Sequence, residues 1–227
     1  MFRAESRFLC LLALVCAAAS AQELYSWHAA EVSIPINSSW DFTLHTRIRT
    51  RHEFRHVAQV RAGPQVSYRY QRYTFRGAYY FEPDNPSARD TANFAAWESG
   101  HRIFASAEAS VQPSRRVAVI PRFMWERFIV KDRGQYNRFR MGGRVNVGRG
   151  TGPYLHHEWM LVASGLQVLR NGGGMRFALG NRWTVEGGWL LDSRPERWGG
   201  NRQAIVSAVR YAWGEWAAGR ESHSHSL

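Results

Sequence analysis

Cysteine is nearly missing from this chain: Cys10 and Cys16 are the only two, and both lie in the N-terminal apolar stretch. Lysine is rarer still, with Lys131 alone beside a large number of arginines. Past residue 21 the longest uninterrupted apolar run is 159–163, far short of the roughly 20 residues that a membrane-spanning helix needs. The last absence excludes a helical membrane protein. If the N-terminal stretch is removed on export, the first excludes disulfides, thiolate metal sites and a cysteine nucleophile.

What is present at the N-terminus reads as an export signal. Arg3 and Arg7 precede the apolar run 8–19, and Ala19-Ser20-Ala21 supplies small residues for cleavage. The mature chain is then expected to begin at Gln22, leaving about 200 residues, enough for one domain with a substantial interior and too few for two. Removing residues 1–21 lowers the formal charge of +12 by one, so a strong basic excess survives. Export argues against nucleic acid as its counterpart. Outer-membrane lipid, the phosphates of lipopolysaccharide, or carboxylates within the fold suit these arginines better, and a monomer is expected.

From residue 40 onward polar and apolar residues alternate over segments of about ten positions, broken by turn residues, which is a strand pattern. It is clearest in 40–55. Phe42, Leu44, Ile48 and Phe54 share one face with Thr46 and Thr50, while Asp41, Thr43, His45, Arg47, Arg49, Arg51 and Glu53 share the other. A helix would scatter those charges around its circumference, whereas a strand collects them on one side. The pattern recurs in 57–70, 73–81, 101–111, 117–129, 136–147, 153–162, 174–180, 184–191 and 202–213, which makes ten strands. The segment 22–39 stands apart as a lead-in, a plug or an eleventh strand, since Pro35 and the mixed pattern near Glu31 leave it open. Residues 214–227 form a tail.

Connections alternate in length. Short ones fall at 71–72, 112–116, 148–152 and 181–183, and longer ones at 82–100, 130–135, 163–173 and 192–201. Short periplasmic turns alternating with longer outer loops are the habit of outer-membrane barrels. A barrel starting at Trp40 has both ends on the short-turn side, as an even strand number requires. The expected fold is therefore all-β, an antiparallel up-and-down transmembrane β-barrel of about ten strands.

The two faces are unlike. One carries Phe42, Leu44, Ile48, Phe123, Phe139, Leu155, Trp159 and Phe177; the other carries the charges, and it is assigned to the lumen. Its expected lining is Arg47, Arg49, Arg51 and Glu53 on the first strand, Arg61 and Arg69 on the second, and Glu108, Arg122 and Glu126 further on. Arg138, Arg140, Arg144, His156, Glu158, Arg176 and Glu186 complete it. Trp40, Tyr68, Tyr70, Tyr73, Trp183 and Trp213 gather near the short-turn side, as rings do at the headgroup level of a bilayer. The opposite assignment, with the apolar face inward, would make a soluble lipocalin-like binder.

Several features in a fixed order also carry a resemblance. Trp27, the Arg/Glu strand 40–55, Tyr136-Asn137-Arg138-Phe139-Arg140 and Pro153-Tyr154-Leu155-His156-His157-Glu158-Trp159 come first; Gly174 to Gly180, Asn181-Arg182-Trp183 and Glu186-Gly187-Gly188-Trp189 follow. Together they resemble a family of outer-membrane barrels called domain of unknown function 2490. That resemblance implies an outer-membrane location and brings with it no activity, cofactor or catalytic residue. The chain departs from the pattern at its end, where residues follow Trp213 instead of the chain finishing on an aromatic strand terminus.

Three groupings suggest chemistry. His156, Glu158 and Ser164 have the residue types of base, orienter and nucleophile for an outer-membrane lipid hydrolase, but Ser164 falls in a connection. His223 and His225 in the tail are potential metal ligands. Gly172-Gly173-Gly174 lacks the strand, loop and following helix of a phosphate-binding site and reads as a flexible loop or strand entry. None is expected to make an enzyme or hold a cofactor. Arginines opposite glutamates in a narrow bore brace the barrel by bidentate pairing; the alternative is a basic lining that admits anions, a small pore.

Mass spectrometry of the exported protein is expected to find Gln22 at or next to the mature N-terminus. An intact segment 2–21 would remove the basis for the compartment assigned above.

Overall fold

The computed structural model describes residues 23–51, 56–84, 97–131, 134–198 and 200–213. Strands β1 (Glu23–Pro35), β2 (Trp40–Arg51), β3 (His56–Tyr70), β4 (Tyr73–Phe81) and β5 (Gly100–Ala109) come first. A four-residue strand β6 (Val111–Ser114) leads into β7 (Val117–Val130), and β8 (Gly134–Val147), β9 (Gly152–Val162), β10 (Gly165–Leu179), β11 (Trp183–Ser193) and β12 (Arg202–Ala212) follow. One 3-10 turn, Glu196–Trp198, precedes the last strand.

Each of β1 to β4 pairs antiparallel with its successor, β5 pairs with β7, and β7 to β12 continue in chain order. β12 then returns to β1, so eleven strands close a barrel and β6 is a short appendage on β7. The expected all-β barrel of about ten strands is what the chain forms.

The closing pair corrects the parity expected from the sequence. β1 and β12 run parallel, in register from Glu23 opposite Arg202 to Ser33 opposite Ala212. The segment left open as lead-in or extra strand is a full strand, and one strand added to ten makes the count odd. First and last strands then point the same way and meet only through the slanted hydrogen bonds of a parallel ladder.

Two connections expected to be long are short. β9 ends at Val162 and β10 begins at Gly165, so 163–173 is a tight hairpin and most of a strand. β7 and β8 are likewise paired out to Val130 and Gly134. A smaller correction concerns Ala58. Alternation through 57–70 puts Ala58 with Val60 and Val66 on the apolar face, but a bulge between Arg49 and Thr50 leaves it outside the ladder, and it lines the lumen. An extra residue on one strand re-aims its side chain in this way.

Glycines explain why β10 persists through Gly172-Gly173-Gly174, which the sequence suggested was a loop or a strand entry. Alternation from Arg170 and Arg176 puts Gly172 and Gly174 at inward register positions, and Gly188 faces Gly174 on β11. A Cβ on Gly174 would lie inside van der Waals distance of the Gly187 carbonyl and the Gly188 Cα, and one on Gly172 would collide with Leu190. The missing side chains let strongly coiled strands approach closely.

Gly174→Val is therefore expected to lower stability by about 1–3 kcal/mol through overpacking, read as a lower urea midpoint in detergent. Gly187→Val is the control, since a Cβ there meets nothing within 4 Å, and its midpoint is expected to stay near the parent's.

Candidate functional site

The bore is the polar part of the molecule. Large apolar side chains on the outside are exposed, with Leu155 at 67%, Leu44 at 48% and Phe123 at 48%, while Glu126 at 0%, Glu158 at 1% and Arg102 at 3% are buried. Strand alternation produces this inversion, because every second residue must point inward and those positions hold the charges.

Carboxylates inside the bore each serve several guanidiniums. Glu126 on β7 accepts from Arg102 on β5 and from Arg138 at 2.5 Å and Arg140 at 3.2 Å on β8. Glu158 on β9 accepts from Arg140 and, at 2.6 Å, from Arg122 on β7. Glu82, just beyond β4, takes a two-pronged bond from Arg61, with Arg102 also 3.7 Å away. Glu108 on β5 meets Arg76 at 2.5 Å and Arg122 at 3.8 Å. These bonds form one continuous lattice from Arg61 to Arg76, running across six strands of the wall.

A second lattice spans the opposite wall. Glu186 on β11 takes two bonds from Arg144 on β8, at 2.9 and 2.8 Å, bridging over β9 and β10. Arg210 on β12 joins the same carboxylate at 2.8 Å and reaches Glu31 on β1 at 2.9 Å; His45 on β2 is 3.1 Å from Glu31. The Tyr154 ring lies 3.9 Å from the Arg144 guanidinium carbon, a cation–π contact. Nearer the long connections, Asp192 accepts from Arg170 at 2.6 and 2.8 Å and from Arg194 at 3.1 Å. Near the short turns, Asp41 pairs with Arg69.

Burial of these groups is tolerable only because the pairing is dense. A buried ion loses several kcal/mol of hydration, and fully hydrogen-bonded charge pairs are what repay it. Glu82, outside the strands, illustrates the balance. Burial alone would raise its carboxyl, but the charges of Arg61 and Arg102 outweigh that and hold it well below the usual carboxylate range. Its contribution to stability is thus present above the unfolded value of about 4.3 and is lost only as pH falls to the depressed folded value.

Ionic and apolar packing together fill part of the lumen. Tyr80, Phe104 and Met124 form a buried cluster inside the bore, and Met160 and Val168 are almost wholly enclosed. A cavity of about 790 Å³ lies toward the short turns, lined by Arg47, Arg122, Arg140, Arg144 and Arg176 among others. A smaller one of about 220 Å³ lies toward the long connections, lined by Arg49, Arg51, Arg138, Arg194 and Arg202 with Tyr25 and Trp27.

Of the residues expected to line the lumen, Arg61, Arg69, Glu108, Arg122, Glu126, Arg138, Arg140, Arg144, Glu158 and Glu186 enter the lattices described. Arg176 bonds the Gly150 carbonyl at 2.8 Å. His156 lies 3.6 Å from Glu158. Arg47, Arg49 and Arg51 face the cavities, and Glu53 lies outside the described residues. The sequence reading missed Glu31 because its strand was left open, and missed Glu82, Arg170 and Asp192 because they fell in segments read as connections. Alternation of Tyr25, Trp27, Glu31 and Ser33 with Ser26, His28, Val32 and Ile34 was the available signal for β1.

The grouping of His156, Glu158 and Ser164 does not assemble. Ser164 sits in the β9–β10 turn, where its carbonyl accepts from Arg197 at 2.9 Å, eight residues or roughly 26 Å along the strand from His156. His223 and His225 lie outside the described residues. A different polar chain lies on the outer face at the parallel seam: Ser207 to His28 at 2.8 Å, His28 to Ser26 at 3.0 Å, and Ser26 to Thr50 at 2.7 Å. It satisfies hydroxyls and an imidazole that would otherwise face the apolar band unpaired.

No curated protein matches the sequence. The family comparison is more informative: residues 24–203, from the second residue of β1 to the second of β12, match the model described as a protein of unknown function, DUF2490. Strands β2 to β11 and nearly all of β1, with most of the lattice-bearing residues, fall within that span, and the chain belongs to the DUF2490 family.

Proposed function

We propose that the protein is an outer-membrane barrel with a lumen braced shut by arginine–carboxylate pairing, acting as a structural or interaction protein and assigned no reaction. The observation that carries this reading is the inversion of polarity. A soluble barrel hides its apolar face, whereas here Leu44, Phe123, Phe139, Leu155 and Phe177 are exposed while Glu126, Glu158 and Arg102 are buried. Strands of 9 to 15 residues suit a hydrocarbon layer that takes about 9–11 tilted residues.

The aromatics support the same orientation. Trp40 stacks near Tyr68 at 4.8 Å and Trp183 near Tyr211 at 4.6 Å, with Tyr70, Tyr73 and Trp213 exposed beside them on the short-turn side. Tyr79, Phe81 and His101 group near the other rim. Belts at two levels are what an apolar band between headgroup layers calls for.

A small anion pore is the second reading, favoured by the basic cavities. Against it stand the enclosed Tyr80, Phe104, Met124 and Met160 and the lattice from Arg61 to Glu158, whose side chains take up much of the bore. Barrels of this size fall between the eight-stranded ones that side chains fill and the 16- to 18-stranded ones that leave a channel.

Phe123→Arg is expected to abolish the heat-modifiable folded band in outer-membrane fractions, since a charge on the lipid face costs about 2–4 kcal/mol near the midplane. Thr74→Arg, placed opposite Glu108 inside the bore, is expected to fold normally. A reversed order would invert the two faces and favour a soluble binder.

In planar bilayers we expect little or no steady conductance. Stable anion-selective openings that lose selectivity on Arg47→Glu would replace the braced barrel by the pore.

A further inference from the structure

The lattice leaves certain cations out. Arg49, Arg51 and Arg202 have no carboxylate within ion-pair distance among the described residues, although all three line the smaller cavity. Their neighbours are aromatic: Arg49 lies 4.3 Å from the Trp27 ring, and Arg51 and Arg202 lie 6.0 and 5.3 Å from the Tyr25 ring. Trp27 is also approached by Arg170 at 4.5 Å, but Arg170 is matched by Asp192.

Buried polar atoms around this cavity without a partner in the protein are strongly biased toward donors. Trp27 Nε1 and the Nε of Arg49, Arg51, Arg194 and Arg202 are hydrogen donors; Gln59 Oε1 is the acceptor among the cavity-lining residues. Glu82, Asp84 and Asp192 also line this cavity, but none is within ion-pair distance of these three arginines. Buried groups of this kind ordinarily find partners, and a surplus of donors on cations without an ion-pair partner calls for an acceptor-rich anion. Aromatic faces hold the guanidiniums in place but accept no hydrogen bond in their plane, so the N–H fork of each arginine stays available.

Size narrows the class. A cavity of about 220 Å³ is below the roughly 300–1,000 Å³ of organic ligand sites, which suits a compact tetrahedral oxyanion better than an extended molecule. Guanidiniums prefer oxyanions to halides because two N–H groups meet two oxygens in one plane.

We propose that this end of the lumen binds a phosphoryl group, held by Arg49, Arg51 and Arg202 and reached from the side of the long connections. The site depends on the closed bore and not on the compartment, so a barrel recovered in soluble form would keep it.

The test uses the full mature chain folded in zwitterionic detergent. Calorimetry and thermal melting follow inorganic phosphate against chloride at equal ionic strength, and mixed micelles of a phosphorylated glycolipid against its dephosphorylated form. Saturable binding of phosphate with a concentration-dependent rise in melting temperature is expected, weakened about tenfold by Arg49→Gln and by Arg51→Gln, the loss of one charge-assisted bond each. Without phosphate, both variants are expected to melt no lower than the parent, because each removes a buried charge without an ion-pair partner. Arginine-dependent binding of the phosphorylated glycolipid alone would also support the site and assign its ligand to a lipid headgroup. Neither probe exceeding its reference, unchanged binding in both variants, or a lower melting temperature of both variants without phosphate would overturn the proposal, the last by making these arginines braces.

Discussion

Everything in this barrel turns on burying arginine. A guanidinium moved out of water needs a counter-charge and several acceptors, and the paired backbone of its own strand does not supply them, so acceptors must come from side chains of other strands. Glu126 and Glu158 meet that need by each serving guanidiniums from more than one strand. Such sharing works because the guanidinium fork is planar and rigid, and one lysine in the whole chain is consistent with the geometry: an ammonium could not bridge two carboxylates in the way Arg140 and Arg210 do.

The same constraint shapes the wall. Long side chains crossing the bore take up volume, and the barrel makes room by leaving side chains out, as at the inward positions of Gly172, Gly174 and Gly188. Tyr154 and Arg144 occupy the adjoining space. The wall is thin where the contents are thick. Meanwhile the outer face is mostly apolar, and local hydrogen bonds quench some of its polar groups, as in the pairs of His28 and of His157 with Asn171 at 2.7 Å.

Strand type, face assignment and most of the lattice were legible in the sequence because alternation is a local property: Asp41 through Arg51 declare their side without help from the rest of the chain. Three things were not. The Gly172-Gly173-Gly174 run has no side chains to alternate, so its strand character depends on the paired positions of β9 and β11. Closure is global, and whether residues 24–36 join the wall depends on the edge of β12 far away in sequence. Pairings such as Arg144 with Glu186 were equally hidden, since alternation says that two charges share the bore but not which of them meet.

The parallel seam also has a topological consequence. In an even-stranded barrel, chain entry and exit fall at the same rim and a short peptide could join them. Here Glu23 and Arg202 stand at one rim and Ser33 and Ala212 toward the other, so entry and exit are separated by the length of a strand, roughly 36 Å for eleven residues. A circular permutant would need a linker running the full height of the wall, along its outer face or through the bore. The order of strands is thus tied to geometry: no short peptide can join the present ends of the wall.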